Sequence, residues 1–122
     1  IHEIVHAIMI PLYPNTPLFL HEGIATYYGG TTGQDYKTIK SAAKEFIEQH
    51  NVDFNNKGYL NISLREDVQL SNVVAAAIIE YALQRGGESE VLRLFEATKY
   101  DKIFELLNIA TNEQAEFIRS LF

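Results

Sequence analysis

The chain opens with His2-Glu3-Ile4-Val5-His6 and continues, after a proline-rich turn, with Leu18-Phe19-Leu20-His21-Glu22-Gly23. The first stretch has the pattern H-E-x-x-H. On a helix, residues four apart lie on the same face, with about 5–6 Å between their Cβ atoms. Two imidazoles so placed reach one zinc ion at roughly 2.0–2.1 Å. The spacing therefore predicts a zinc site on the first helix.

Two glutamates complete the predicted site. Glu3 follows His2 by one position, so its carboxylate projects beside the metal, where a general base must stand. Zinc lowers the pKa of a bound water to about 7, and a nearby carboxylate then completes its deprotonation. A catalytic zinc also needs a third protein ligand and one open position. Glu22, sixteen residues after His6, is the candidate third ligand.

The intervening segment predicts a tight connection between two helices. Ile10 precedes Pro11, which disfavours helical dihedrals at Ile10 and predicts the end of the first helix there. Thr16 followed by Pro17 predicts an N-cap and a first helical residue. A second helix from about Pro17 to Tyr28, closed by Gly29-Gly30, would return beside the first and turn Glu22 toward the histidines.

The alternative interpretation of H-E-x-x-H is a chance pattern on a solvated helix. Its aliphatic surroundings argue against that, because ionisable groups on a mostly apolar helix are costly to bury unless they are paired or bind a metal. The apolar neighbours are Ile1, Ile4, Val5, Ala7, Ile8, Met9 and Ile10.

These residues resemble the gluzincin metallopeptidases, the thermolysin-like and aminopeptidase-N-like group. Phe19-Leu20-His21-Glu22-Gly23-Ile24-Ala25 fits the second motif of that family, aromatic-Leu-x-Glu-Gly-x-Ala. The resemblance implies that His2, His6 and Glu22 bind one zinc ion and that Glu3 is the general base and acid in peptide-bond hydrolysis. It also implies an all-α, zincin-like helical subdomain of about six helices. The family's sheet, whose edge strand holds the substrate backbone, would lie upstream of this chain.

Further along, the resemblance is weaker. The stretch Ile78–Gly87 is similar to the family's buried helix that ends in a glycine turn. Aminopeptidase-N-like members begin that helix with an oxyanion-stabilising tyrosine, but its place falls near Ser71, where no tyrosine is present. The spacing from His6 to Glu22 is also shorter than in those enzymes. The oxyanion donor therefore stays open among four tyrosines, which more often simply pack: Tyr27, Tyr28, Tyr59 and Tyr81.

Composition indicates one globular domain over residues 1–122, with a zinc-binding helix pair at 1–30 and supporting helices at 31–122. Hydrophobic residues make up 47% and charged residues 21%, which is ordinary for a soluble protein. A net charge of −6 without a basic run argues against nucleic acid as a partner. The chain has no cysteine, and its apolar runs are too short to span a membrane.

The chain starts one residue before the first predicted ligand. Because a helix frays in its first turn, we expect a fragment of a longer metallopeptidase. The family resemblance slightly favours a secreted or cell-envelope location. The choice between aminopeptidase and endopeptidase, and the oligomeric state, stay open.

Downstream, a helix is predicted from Asp35, with a solvated charged face (Lys37, Lys40, Lys44, Glu45, Glu48). Asn51–Asp67 is irregular, with a connecting loop favoured over a short extended piece. The almost wholly apolar stretch Gln69–Arg85 predicts a central core helix ended by Gly86-Gly87. Two or three short helices should follow, the last with a capping box starting at Thr111.

Two residues beside the predicted ligands need separate interpretation. His21 points about 100° away from Glu22 on a helix, so it is not expected to share the metal. Contact with a substrate stays open, and capping of a surface is the favoured interpretation. Thr26, one turn after Glu22, is predicted to hydrogen-bond a ligand histidine. A rival to the enzyme hypothesis is a non-catalytic, peptidase-like scaffold that binds a partner and whose zinc is structural or lost.

Overall fold

The fold is mostly helical. A computed structural model describes residues 1–65 and 67–122, and six α-helices lie in these ranges. They are α1 (His2–Leu12), α2 (Leu18–Gly29), α3 (Tyr36–His50), α4 (Leu70–Leu94), α5 (Tyr100–Leu106) and α6 (Gln114–Ser120). This confirms the prediction of a helical fold with about six helices.

The predicted irregular stretch contains two short elements. A 3₁₀ turn over Lys57–Asn61 leads into β1 (Ser63–Arg65), which pairs antiparallel with β2 (Val68–Gln69). The stretch therefore contains a short extended piece, whereas its sequence favours a connecting loop. Glu66, which also belongs to that stretch, lies outside the described residues.

Helix α4 forms the centre of the core, as its sequence predicts. Every residue from 73 to 79 is buried, so the helix is covered on all sides, with α2 and α3 packed against it. The predicted glycine end appears as a kink at Gly87 (φ 70°, ψ −160°), after which the helix resumes as far as Leu94. No helix in the described ranges is long and apolar enough to cross a lipid bilayer.

Helix α1 lies at the surface and has no fully buried residue. Val5, Met9 and Tyr13 pack against the core. The opposite face is aliphatic and exposed at Ile1, Ile4, Ile8 and Leu12. The expectation that apolar neighbours make this a non-solvated helix is therefore wrong for the described residues. Within residues 1–65 and 67–122, α1 contacts the fold through one side.

The connection between α1 and α2 differs from the prediction at both helix ends. Pro11 lies within the last turn of α1, which ends at Leu12, and the Tyr13 N–H donates to the Met9 carbonyl at 2.9 Å. Thr16 is not the N-cap of α2, since its buried hydroxyl donates to the Phe95 carbonyl instead. Pro17 occupies the N-cap position. The hydroxyl thus ties this turn to the end of α4.

Helix α3 begins as predicted, with the Asp35 carboxylate accepting a hydrogen bond from the Thr38 N–H at 2.9 Å. Its charged face is not wholly solvated, because Lys40 Nζ lies 2.6 Å from Glu80 Oε1 on α4. The Tyr36 hydroxyl donates to the same oxygen at 2.9 Å. Burial and the neighbouring Glu80 carboxylate raise the pKa of Tyr36.

The short C-terminal helices close over the other end of the core through Ile103, Phe104 and Ile118, all fully buried. The predicted capping box is displaced by one residue. Glu113 Oε1 accepts a hydrogen bond from the N–H of Ala110, at 3.2 Å, whereas a box that starts at Thr111 would pair Thr111 with Gln114. Thr111–Glu113 forms a 3₁₀ turn, so the cap precedes that turn rather than α6.

Candidate metal centre

Helices α1 and α2 come together at a glycine. A Cβ atom on Gly29 would lie 2.7 Å from His2 Cα and would overlap the His2 backbone nitrogen. Only glycine permits this approach, because real Cβ atoms do not come so close to backbone. The start of α1 is thus held against the end of α2, and the two helices run antiparallel. This arrangement brings residues near the middle of α2 beside the histidine pair.

The two histidines and Glu22 converge, as the sequence predicts. The imidazole centroids of His2 and His6 are 4.8 Å apart, with the ring planes at 77°. His6 Nε2 lies 2.9 Å from Glu22 Oε1, and His2 Nε2 lies 3.4 Å from Glu22 Oε2. One ligand atom from each residue falls within 4.8 Å of the others. The three side chains are 14–26% exposed, so the cluster is reachable from solvent.

The turn that ends α2 fixes the orientation of the His2 ring through a contact to its Nδ1 atom. His2 Nδ1 lies 2.6 Å from the Gly30 carbonyl oxygen. Because a carbonyl only accepts hydrogen bonds, Nδ1 carries the proton. In the neutral imidazole, Nε2 then presents its lone pair to the space it shares with the Glu22 carboxylate. Backbone carbonyls commonly orient metal-binding histidines in this way.

This set of donors fits a divalent cation such as zinc. Lone pairs of two imidazole nitrogens and a carboxylate repel one another when they converge, and either a proton or a cation relieves the repulsion. Two nitrogens and one carboxylate oxygen are the protein ligands of several catalytic zinc sites, with a fourth position left for water or substrate. The chemistry of His2, His6 and Glu22 therefore suits zinc.

Glu3, the predicted base, is exposed on α1 and is not one of the three clustered ligands. Its role as a general base beside the metal stays a prediction. The residue before it in the chain, His2, is one of the three clustered side chains. An exposed carboxylate at this place is accessible to solvent.

Helix α4 contributes a residue that the sequence analysis did not identify. Asn72 Nδ2 lies 3.4 Å from Glu22 Oε2. One turn further along α4, Ala75 touches Gly23, where an added Cβ would lie 2.6 Å from the Ala75 Cβ. In the sequence, Asn72 is distinguished only as an amide directly before an apolar run. The sequence does not indicate that this amide faces Glu22.

Thr26 and His21 behave differently from their predictions. The Thr26 hydroxyl is buried and has no hydrogen-bond partner among the described residues, so it does not bond a ligand histidine. His6 Nδ1 is also buried without such a partner. Among the described residues His21 is not part of the His2, His6 and Glu22 cluster, and it is buried rather than at the surface. Its Nε2 donates to the Tyr13 carbonyl at 2.9 Å, and its ring packs edge-on against Phe95.

The four candidate tyrosines lie in different settings, and none is assigned as oxyanion donor. Tyr59 is buried and hydrogen-bonded to the Tyr100 hydroxyl, so it is removed from solvent. Burial raises the pKa of Tyr59 strongly. Tyr81 accepts a hydrogen bond from Arg85 at 2.9 Å. Tyr27 packs against Tyr28, which is 51% exposed and whose pKa is raised mainly by partial burial.

A scan against protein-family models and searches of curated proteins and solved structures returned no match to this chain.

Proposed function

We propose that this protein is a zinc-dependent metallopeptidase of the gluzincin type. The observation that carries the proposal is the convergence of the His2 and His6 Nε2 atoms on the Glu22 carboxylate, with Glu3 next to His2. The H-E-x-x-H spacing and the Phe19–Ala25 motif support the same class. A purely structural zinc site would have no use for a carboxylate at position 3.

In the proposed mechanism, His2, His6 and Glu22 would hold a zinc ion. When bound, the ion supplies Lewis acidity and a water of lowered pKa. Glu3 takes the proton from the attacking water and delivers it to the leaving amine. The Gly30 carbonyl keeps the Nδ1 proton on His2, so Nε2 stays available as a ligand.

The test compares the wild-type chain with Glu3→Gln and Glu22→Ala, measuring zinc by elemental analysis and hydrolysis on a mixed peptide library. Glu3→Gln should keep one zinc per chain and lose turnover by about 10²–10⁴-fold, the usual contribution of a general base. Glu22→Ala should lose or weaken zinc binding. Glu48→Gln, an exposed glutamate on α3, is the matched control and should change neither quantity.

Full turnover in Glu3→Gln would refute the assigned role of Glu3. Wild-type protein that binds zinc but cleaves no peptide would favour the second candidate, a peptidase-like scaffold that binds a partner. The exposed aliphatic face of α1 favours this alternative, because such a face suits contact with another protein surface.

A further inference from the structure

Asn72 occupies an unusual place on α4. It lies in the first turn of the helix and is half-buried, whereas every residue from 73 to 79 is apolar and buried. A polar side chain at the edge of such a core needs a partner, and Asn72 finds it across the helix interface. Its amide nitrogen lies 3.4 Å from Glu22 Oε2.

The position of Asn72 relative to Glu22 is set by backbone packing. Asn72 and Ala75 are three residues apart on α4 and therefore lie on the same helix face. Ala75 touches Gly23, the residue after Glu22, so closely that an added Cβ would lie 2.8 Å from the Ala75 backbone carbonyl carbon. Helices α2 and α4 are thus held at a short separation. The close packing of Ala75 on Gly23 therefore places the Asn72 amide next to the Glu22 carboxylate.

The two oxygens of the Glu22 carboxylate have different neighbours. Oε1 faces His6 Nε2 at 2.9 Å, whereas Oε2 faces both His2 Nε2 and the Asn72 amide. The amide is oriented with its nitrogen toward Oε2, since an amide oxygen there would repel the carboxylate. Asn72 is neutral at all working pH values, so it donates a hydrogen bond without altering the charge of the ligand set.

We propose that Asn72 is a positioning residue that orients Glu22 as a metal ligand and thereby sets the affinity of the site. This inference rests on the proposed function, because it requires a metal on His2, His6 and Glu22. Hydrogen-bond partners of metal ligands typically contribute 10–100-fold to metal affinity. A loss of that size is expected when the amide is removed.

The experiment measures zinc affinity of the whole chain by competition with a chromogenic chelator. Asn72→Leu removes the amide at similar volume and should weaken zinc binding by about 10–100-fold. Ser71→Ala, the adjacent half-buried residue, is the control and should bind zinc like the wild type. Asn72→Ala also removes the amide, and it adds no bulk. It replaces Asn72→Leu in the same measurement if the leucine variant folds poorly. Thermal unfolding of the metal-free proteins separates a loss of ligand orientation from a loss of fold.

A double-substitution comparison tests whether Asn72 acts through Glu22. In a Glu22→Ala background, measured by calorimetric titration of zinc into the two-histidine site, Asn72→Leu should have no further effect. An equal loss in that background would overturn the proposal, as would unchanged affinity in Asn72→Leu while the wild type binds zinc. A wild type that binds no zinc would overturn this proposal and the proposed function together. A wild type that binds zinc without hydrolysing peptides would overturn only the function.

Discussion

Helices α1 and α4 are both rich in aliphatic side chains, yet the fold uses them in opposite ways. Helix α4 is buried around its whole circumference between Val73 and Ile79. Helix α1 contacts the fold on one side only and leaves Ile1, Ile4 and Ile8 between 56% and 76% exposed. Aliphatic content therefore indicates that a helix can be buried, but the neighbours available to it decide how much of it is.

The two helices also differ in whether they contribute mainly to the stability of the fold or to the candidate metal centre. Helix α4 carries the core and contributes one polar side chain, Asn72, to the candidate metal centre. Helix α1 carries both histidines and Glu3 and has no fully buried residue. Substitutions in the two helices should therefore have very different effects on the free energy of unfolding.

The largest expected effect is in the centre of α4. Ile78 is fully buried, so Ile78→Ala loses its transfer free energy and leaves a cavity. We expect a loss of about 2–5 kcal/mol in the free energy of unfolding, measured by urea denaturation followed by circular dichroism. A loss below that of an ordinary surface substitution would contradict the assignment of α4 as the core helix.

An intermediate effect is expected where α2 meets α4. Gly23→Ala places a methyl group against the Ala75 side chain and backbone, which have little freedom to move. Overpacking of this kind costs about 1–3 kcal/mol, and it should also displace Glu22 and weaken zinc binding. Gly86→Ala is the comparison variant, because its added methyl would meet the Glu90 side chain, with the nearest atom, Cβ, at 3.0 Å, rather than the backbone of another helix. If both variants unfold alike, the close α2–α4 contact does not limit stability.

The smallest effect is expected on the outer face of α1. Ile8 is 56% exposed, so Ile8→Ala removes few contacts. Its free energy of unfolding should stay within about 0.5 kcal/mol of the wild type, and zinc binding should not change. A large destabilisation in the same denaturation measurement would show that a partner covers this face in solution.

The sequence predicted much of this molecule because its signals are local. H-E-x-x-H spacing places His2 and His6 on one face of a helix whatever surrounds it. The apolar run after Gln69 can only be satisfied by burial, so α4 was predictable as the core helix. Asp35 and the glycine at 87 mark real local events, an N-cap and a kink, because caps and left-handed dihedrals depend on few neighbours.

The errors concern residues whose partners are far away in the chain. Thr16 has the residue type of an N-cap, but the Phe95 carbonyl competes for its hydroxyl. His21 was expected at a surface and is buried against Phe95. Lys40 was assigned to a solvated face and pairs with Glu80 on another helix. In each case a contact spanning 40 or more residues decides the outcome.

The sequence by itself determined the helical fold, the central place of α4 and the three side chains of the candidate metal centre. Only the tertiary structure decided how those residues meet: the Gly30 carbonyl behind His2, the Asn72 amide beside Glu22 and the exposed face of α1. The physical reason is the sequence separation over which each interaction acts. Helical periodicity and dihedral preferences act within a few residues, whereas burial and hydrogen-bond partners depend on which distant segments the packed core brings together.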